Sequence, residues 1–151
     1  MAQDEHLYDE LCLSVYNTNR YFHRLYGRVL EQYDLSYLQY MSLLIIHQRG
    51  ALKMMDIGAD LELSSNTLTP VVDKLVQKNW IVKVKSTKDK RVKVLAMADD
   101  KQRLFQKILA EVDEIRNVLL QRSGRPLADV LQENQALNSV LQSMLIEKEE
   151  K

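Results

Sequence analysis

At 151 residues with 46% hydrophobic content, the chain is the size of one ordinary domain, and its four glycines and two prolines predict few loops and long helices. No apolar run approaches the roughly 20 residues of a membrane span, the opening Met-Ala-Gln-Asp-Glu lacks the basic stretch of a secretory leader, and one cysteine forbids an intrachain disulfide. A reducing cytoplasm is therefore the expected compartment, with no membrane partner. The formal net charge is zero, yet residues 49–93 carry ten Lys/Arg against five Asp/Glu, while 1–48 carry three against six and 94–151 eight against ten. The positive field is confined to the middle third, as suits a chain that touches a polyanion with one face only.

Residues 5–33 repeat apolar side chains every three or four positions, at Leu7, Leu11, Val15, Phe22, Leu25 and Val29, which predicts a long helix ending near Tyr33-Asp34. Ser36 with Gln39 three residues on is a capping-box pattern for an apolar helix through His47 that Gly50 stops. Ala51-Leu52-Lys53 is too short to assign, although a strand there could pair with a β-hairpin further along the chain. Met54–Leu61 is a short helical pattern, broken at Glu62-Leu63-Ser64, after which a second helix begins. Pro70 lacks an amide hydrogen and is tolerated within a first turn, so Asn66 or Thr67 is the expected N-cap rather than Ser64. On this second helix Leu68, Val71, Val72, Leu75 and Val76 share one face, leaving Thr67, Pro70, Lys74, Gln77 and Lys78 outward. Two short helices across a tight turn form a helix-turn-helix, whose outward face would enter a major groove.

Ile81–Lys85 and Val92–Met97 are β-rich runs either side of Ser86-Thr87-Lys88-Asp89-Lys90-Arg91, predicting a hairpin that carries Lys83, Lys85, Lys88, Lys90, Arg91 and Lys93. A ribbon so basic suits phosphates and the negative potential of a minor groove. The alternative is a solvated hairpin whose lysines block edge pairing, which the preceding helix-turn-helix disfavours. Asp99-Asp100 can cap a helix of about twenty residues with Leu104, Ile108, Val112, Ile115 and Leu119 on one face, broken at Ser123-Gly124-Arg125-Pro126. The last segment repeats Leu127, Val130/Leu131, Leu137/Val140, Leu141 and Met144/Leu145, close to a heptad seam. Such stripes need each other or a second subunit, and the spacing alone leaves both uses open. The fold class that results is mainly α with a small β wing.

The run Leu63-Ser64-Ser65-Asn66-Thr67-Leu68-Thr69-Pro70, followed by Asp89-Lys90-Arg91, resembles the MarR family of bacterial winged-helix regulators. Leu11-Cys12 with Tyr26 and Tyr37 downstream is similar to its OhrR branch, the one-cysteine sensors of organic hydroperoxides; Leu38, Asn66 and Asp73 stand where that branch usually has Pro, Gly and a basic residue. The resemblance spans essentially the whole chain. It implies a single MarR-type domain over 1–151, with 5–33 and 99–148 as homodimerisation helices and 36–97 as the winged helix-turn-helix. It also implies a double-stranded, pseudo-palindromic DNA operator contacted through Ser64, Ser65, Asn66, Thr67, Thr69, Pro70 and Lys74 of the helix and Lys85, Lys88, Asp89, Lys90 and Arg91 of the wing.

Cys12 lies on an apolar helix, where a lone cysteine is more often a small inert core residue. Tyr8 and Tyr16 lie one turn either side of it, and Asp9 and Glu10 are near, so its own helix offers hydroxyls but no cation to favour a thiolate. Tyr26, fourteen residues on, returns to within about 40° of Cys12 around the axis but about 21 Å along it, so the two cannot touch within one straight helix. If Tyr26 bonds the sulfur, it comes from a second subunit. The resemblance implies that arrangement, with the Cys12 thiolate held by Tyr26 and Tyr37 across a dimer, oxidised by a peroxide to a sulfenic acid and then capped by a low-molecular-weight thiol or oxidised further. Operator release would follow. The alternative is a regulator responding to a small phenolic or lipophilic ligand, with Cys12 a structural residue. A thiol peroxidase is disfavoured, since neither a resolving cysteine nor a Thr-x-x-Cys motif is present. His6, His23 and His47 are scattered, so no metal or other cofactor is expected, and His23 and His47 read as surface or core histidines.

Overall fold

The computed structural model describes residues 2–149, with side chains described from 6 to 147. In chain order the elements are α1 (Ala2–Leu30), a 3-10 turn (Glu31–Tyr33), α2 (Tyr37–Arg49), α3 (Met54–Leu61), α4 (Ser65–Gln77), β1 (Ile81–Lys85), β2 (Lys93–Met97), a second 3-10 turn (Asp99–Lys101), α5 (Gln102–Arg122) and α6 (Leu127–Glu149). The expected class, mainly helical with a two-stranded wing, is the class found. The chain divides into two compact units, 1–112 and 113–151, with the boundary inside α5.

The first unit is built on one core. Leu30, Leu35, Tyr40, Leu43, Ile46, Ile57, Leu68, Val72, Leu75, Trp80, Ile81, Leu95, Phe105, Ile108 and Val112 are buried in it, and Phe105 packs its ring against Tyr40, His47 and Trp80. The capping box forms as the spacing predicts: Gln39 N donates to Ser36 Oγ at 3.1 Å and Ser36 N to Gln39 Oε1 at 3.0 Å, which fixes Tyr37 as the first residue of α2. Gly50 ends the helix at φ 81°, a conformation that favours glycine. Between α3 and α4 the turn closes through Glu62 in the left-handed region, with Leu63 N donating to the Gly58 carbonyl at 2.9 Å. Gly58 suits this close approach, because a Cβ would sit a tight 3.0 Å from the Leu63 carbonyl oxygen. The segment around Leu52, too short to assign from sequence, forms a bridge to Leu95 that ties the wing to the end of α2.

Three expectations are corrected. α4 begins at Ser65, not after Asn66 or Thr67: the Thr67 and Leu68 amides both donate to the Ser64 carbonyl, at 3.1 and 3.0 Å, and Ser64 takes the extended N-cap conformation. Pro70 therefore lies inside the helix and deprives the Asn66 carbonyl of its usual donor, a loss restricted to an exposed face near the helix start. Lys78 does not face outward with Lys74; its ammonium donates back to the Asp34 carbonyl and to Gln39 Oε1 at 3.2 Å. The end of the first helix near Tyr33-Asp34 is as expected: the α-helix runs to Leu30 and continues as 3-10 to Tyr33 before Asp34 turns left-handed at φ 53°. Asp99 and Asp100 form that second 3-10 turn rather than capping α5 with their side chains.

In the second unit, α6 presents Leu131, Val140, Leu141, Met144, Leu145 and Ile146 as exposed apolar side chains, while Leu127, Val130 and Leu137 are half-buried. α1 likewise exposes Leu7, Leu11, Leu13, Val15 and Phe22. No helix among the described residues is long and apolar enough to cross a membrane.

Candidate nucleic-acid interface and sensor residues

α3 and α4 bury Ile57, Leu68, Val72 and Leu75 against the core, and Arg49 of α2 holds α3 through an ion pair with Asp60 at 2.7 Å. This leaves Ser64, Ser65, Asn66, Thr67, Thr69, Pro70 and Lys74 exposed on one helix. Not all of these hydroxyls are available. Thr69 Oγ1 donates to the Ser65 carbonyl at 2.6 Å and lies 3.6 Å from the Met54 sulfur, and Ser64 Oγ and Thr67 Oγ1 pair at 3.4 Å. Ser64 makes no side-chain cap bond, and the positive end of the helix dipole lies at this start of α4, which favours an anion there.

The wing pairs Ile81 with Met97, Val82 with Ala96, Lys83 with Leu95, Val84 with Val94 and Lys85 with Lys93. Only Ile81 of β1 is buried, whereas β2 buries Val94, Leu95 and Met97, so the ribbon is seated on the core through β2 and exposes β1. Lys85 and Lys93 stand directly opposite one another, a like-charge pair that weakens a ladder unless an anion lies between. The tip is ordered by its own side chains: Lys88 N donates to Ser86 Oγ at 3.2 Å and Arg91 N to Asp89 Oδ1 at 3.0 Å, while Arg91 Nε reaches the same oxygen at 3.4 Å. Asp89 thus aims a guanidinium that is 93% exposed. Lys88 and Lys90 flank it, also exposed.

Tyr26 and Tyr37 come together, with ring centroids 5.4 Å apart and both half-buried. Cys12 is exposed on the same α1, separated from Tyr26 by the unbroken helix, about 21 Å along its axis. The chain therefore joins the two tyrosines and keeps the cysteine apart. Tyr37 also stacks on His23, with centroids 4.2 Å apart and planes 29° apart, and Tyr26 meets Phe22 and Tyr40 edge-on. His23, which the sequence suggested to be a generic surface or core histidine, is the neighbour that was missed. Its signal was the i, i+3 spacing to Tyr26, which puts both rings on one face of α1. Among the described residues no group of three or more His, Cys, Asp or Glu could hold a metal ion.

A helix-turn-helix followed by a basic two-stranded ribbon defines a winged-helix protein. Residues 35–93 match the MarR family. Over 138 residues the chain is 27% identical to the organic hydroperoxide resistance transcriptional regulator of Bacillus subtilis, covering 91% of each protein. Over 90 residues it is 31% identical to the HTH-type transcriptional regulator SarZ of Staphylococcus aureus, covering 60% of this chain and 61% of that one. Reduced AbfR bound to DNA superposes with a TM-score of 0.74 at 28% identity, over 96% of this chain and 99% of that chain. The overoxidized form of AbfR bound to DNA superposes with a TM-score of 0.73 at 28% identity, over 91% and 98%. The MarR match is thus confined to the winged-helix segment, while over nearly its whole length the chain is similar to transcriptional regulators.

Proposed function

We propose that this protein is a dimeric, cytoplasmic DNA-binding repressor that releases its operator when an organic hydroperoxide oxidises Cys12. The observation that carries the reading is the pairing of Tyr26 with Tyr37 on a chain whose lone cysteine is exposed one long helix away. The two phenol rings brought together have no thiol beside them within their own subunit; an antiparallel crossing of two α1 helices would carry each Cys12 to the partner's tyrosine pair. The exposed apolar side chains of α1 and α6 supply the surface for such a dimer. In this reading the whole chain, 1–151, works as one MarR-type domain, with 5–33 and 99–148 pairing the subunits.

The DNA contacts follow from exposure and charge. Asn66, Thr67 and Lys74 face a major groove, with Ser64, Ser65, Thr69 and Pro70 shaping the start of the helix. Lys85, Lys88 and Lys90 meet phosphates, while Arg91, oriented by Asp89, enters a minor groove. A dimer reads two half-sites, so the operator is pseudo-palindromic. The similarity to the organic hydroperoxide resistance regulator and to AbfR supports oxidation as the signal.

The chemistry balances without a cofactor. The Cys12 thiolate attacks the terminal oxygen of the hydroperoxide; the O–O bond breaks, the alkoxide takes a proton and leaves as the alcohol, and the sulfur becomes a sulfenic acid. A low-molecular-weight thiol then condenses with it, forming a mixed disulfide and releasing water, or further peroxide oxidises it onward. Either product is larger and more polar than a thiol and displaces α1 from its partner. The test is an operator titration of wild type and Cys12→Ser with and without cumene hydroperoxide. Release by the wild type alone is expected. Equal release by Cys12→Ser would transfer the signal to another site.

A further inference from the structure

We propose that His23 is a positioning residue for the sensor: its imidazole, stacked on Tyr37, holds the phenol where its hydroxyl meets the thiolate of the partner subunit. The inference rests on the tyrosine-supported thiolate proposed above, and its own ground is the geometry around one ring. Tyr37 is the first residue of α2, fixed in the backbone by the Ser36–Gln39 capping box, but a capping box sets only the Cα and leaves the side-chain torsions free. Those torsions are set by α1. His23 and Tyr26 project from successive turns of one helix face, and the Tyr37 ring meets both, at 4.2 Å from His23 and 5.4 Å from Tyr26.

The two contacts differ in kind. Tyr26 is itself anchored by edge-on contacts with Phe22 and with Tyr40, which is buried in the core, so it forms the fixed wall. His23 is exposed, and its ring lies against that of Tyr37 at a near-parallel 29°. It adds a second ring contact to Tyr37 beside that of Tyr26. A phenol held by one ring contact keeps a rotamer through which its hydroxyl swings away; held by two it keeps one direction, and a hydrogen bond to a thiolate needs that direction. The stack also excludes water from one face of the phenol, which strengthens whatever the hydroxyl bonds.

The experiment uses the full-length protein and follows the pH profile of Cys12 alkylation by iodoacetamide, together with its rate of reaction with cumene hydroperoxide, in His23→Ala, His23→Phe, Tyr37→Phe and the His23→Ala/Tyr37→Phe double variant. The exposed position of His23 lets each variant fold, which circular dichroism checks. His23→Ala is expected to move the alkylation profile to higher pH and slow the peroxide reaction, by no more than Tyr37→Phe does. His23→Phe, which can still stack, should restore the wild-type profile, and the double variant should match Tyr37→Phe alone, because a hydroxyl already removed cannot be misplaced. A purely structural histidine would leave the pH profile unmoved. The proposal is overturned by a wild-type profile in His23→Ala, by failure of His23→Phe to restore it, or by additive effects in the double variant. If Tyr37→Phe itself reacts as wild type, the tyrosine-supported thiolate falls, and the positioning role with it; if Tyr37→Phe is slow and His23→Ala is not, only the role of His23 falls.

Discussion

Lys78, at the C-terminal end of α4, places its ammonium 3.2 Å from Gln39 Oε1, the same oxygen that accepts the Ser36 amide in the capping box of α2. The ammonium also donates to the Asp34 carbonyl. One cation therefore ties the end of α4 to the segment that sets the start of α2 and hence Tyr37. Lys78→Met, which keeps the stem and removes the charge, is expected to bind operator within a few-fold of wild type when reduced but to lose part of its response to peroxide. Operator titrations of the reduced and oxidised variant check this. A full oxidative response would show that the signal reaches α4 by another route.

At the wing, Arg91→Ala is expected to weaken specific operator binding by about 1 to 3 kcal/mol with the fold intact. Asp89→Ala removes the acceptor at 3.0 Å from the Arg91 amide and the guanidinium's 3.4 Å partner, and should give a milder form of the same defect. Fluorescence anisotropy across a salt series measures both. Lys88→Ala, losing a phosphate contact, should instead lower the salt slope by about one without changing sequence preference.

Tyr33 Oη donates to both carboxylate oxygens of Glu111 at 2.8 Å, joining the turn after α1 to α5. Burial, then the hydrogen bond and the negative charge of Glu111, raise the Tyr33 phenol above its ordinary value. Because the folded value is the higher one, the neutral phenol adds stability that is fully present below the unfolded value of about 10 and is lost as pH rises through the folded value. Tyr33→Phe should cost about 1 kcal/mol at neutral pH, a hydrogen bond at a half-buried site, and the gap to wild type should close above about pH 10. Urea unfolding at the two pH values decides it.

The crossing of two α1 helices is tested by a mixed dimer in which one subunit carries Cys12→Ser and the other Tyr26→Phe with Tyr37→Phe. The remaining thiol sits in the Phe-bearing subunit and faces intact tyrosines across the interface, so near-normal peroxide reactivity is expected. Sluggish reaction there would return the tyrosines to their own chain.

Local rules with a short reach were the legible part of the sequence. The capping box at Ser36 and Gln39, the stop at Gly50, the break after Leu61 and both strands of the wing depend on residues within a few positions, and each stands within a residue or two of its expected place. α4 starts earlier than Pro70 alone predicts, because the Ser64 carbonyl captures the Thr67 and Leu68 amides. Lys78 was misread for a different reason: helical spacing gives the face a side chain leaves from, but a long lysine turns toward whatever acceptors tertiary packing brings near, here Asp34 and Gln39, 44 and 39 residues away. The tyrosine pair could be suspected from the family likeness; spacing sets His23 beside Tyr26 on one face of α1, but its stack on Tyr37 needed the angle between α1 and α2, which no spacing encodes.

The opposed Lys85 and Lys93 have a consequence for motion. A two-stranded ribbon is marginal by itself, and this one carries a repulsive pair where its strands leave the core, beyond which the ladder ends in the Ser86 to Val92 bond at 2.8 Å. The far end of the wing should open and reclose on its own, well below the free energy that unfolds the core. A phosphate backbone lying between the two ammonium groups would turn repulsion into a bridge. Hydrogen exchange at the Ser86 amide should then be fast in the free protein and slow on operator DNA, so that the wing acquires much of its rigidity from the DNA it grips.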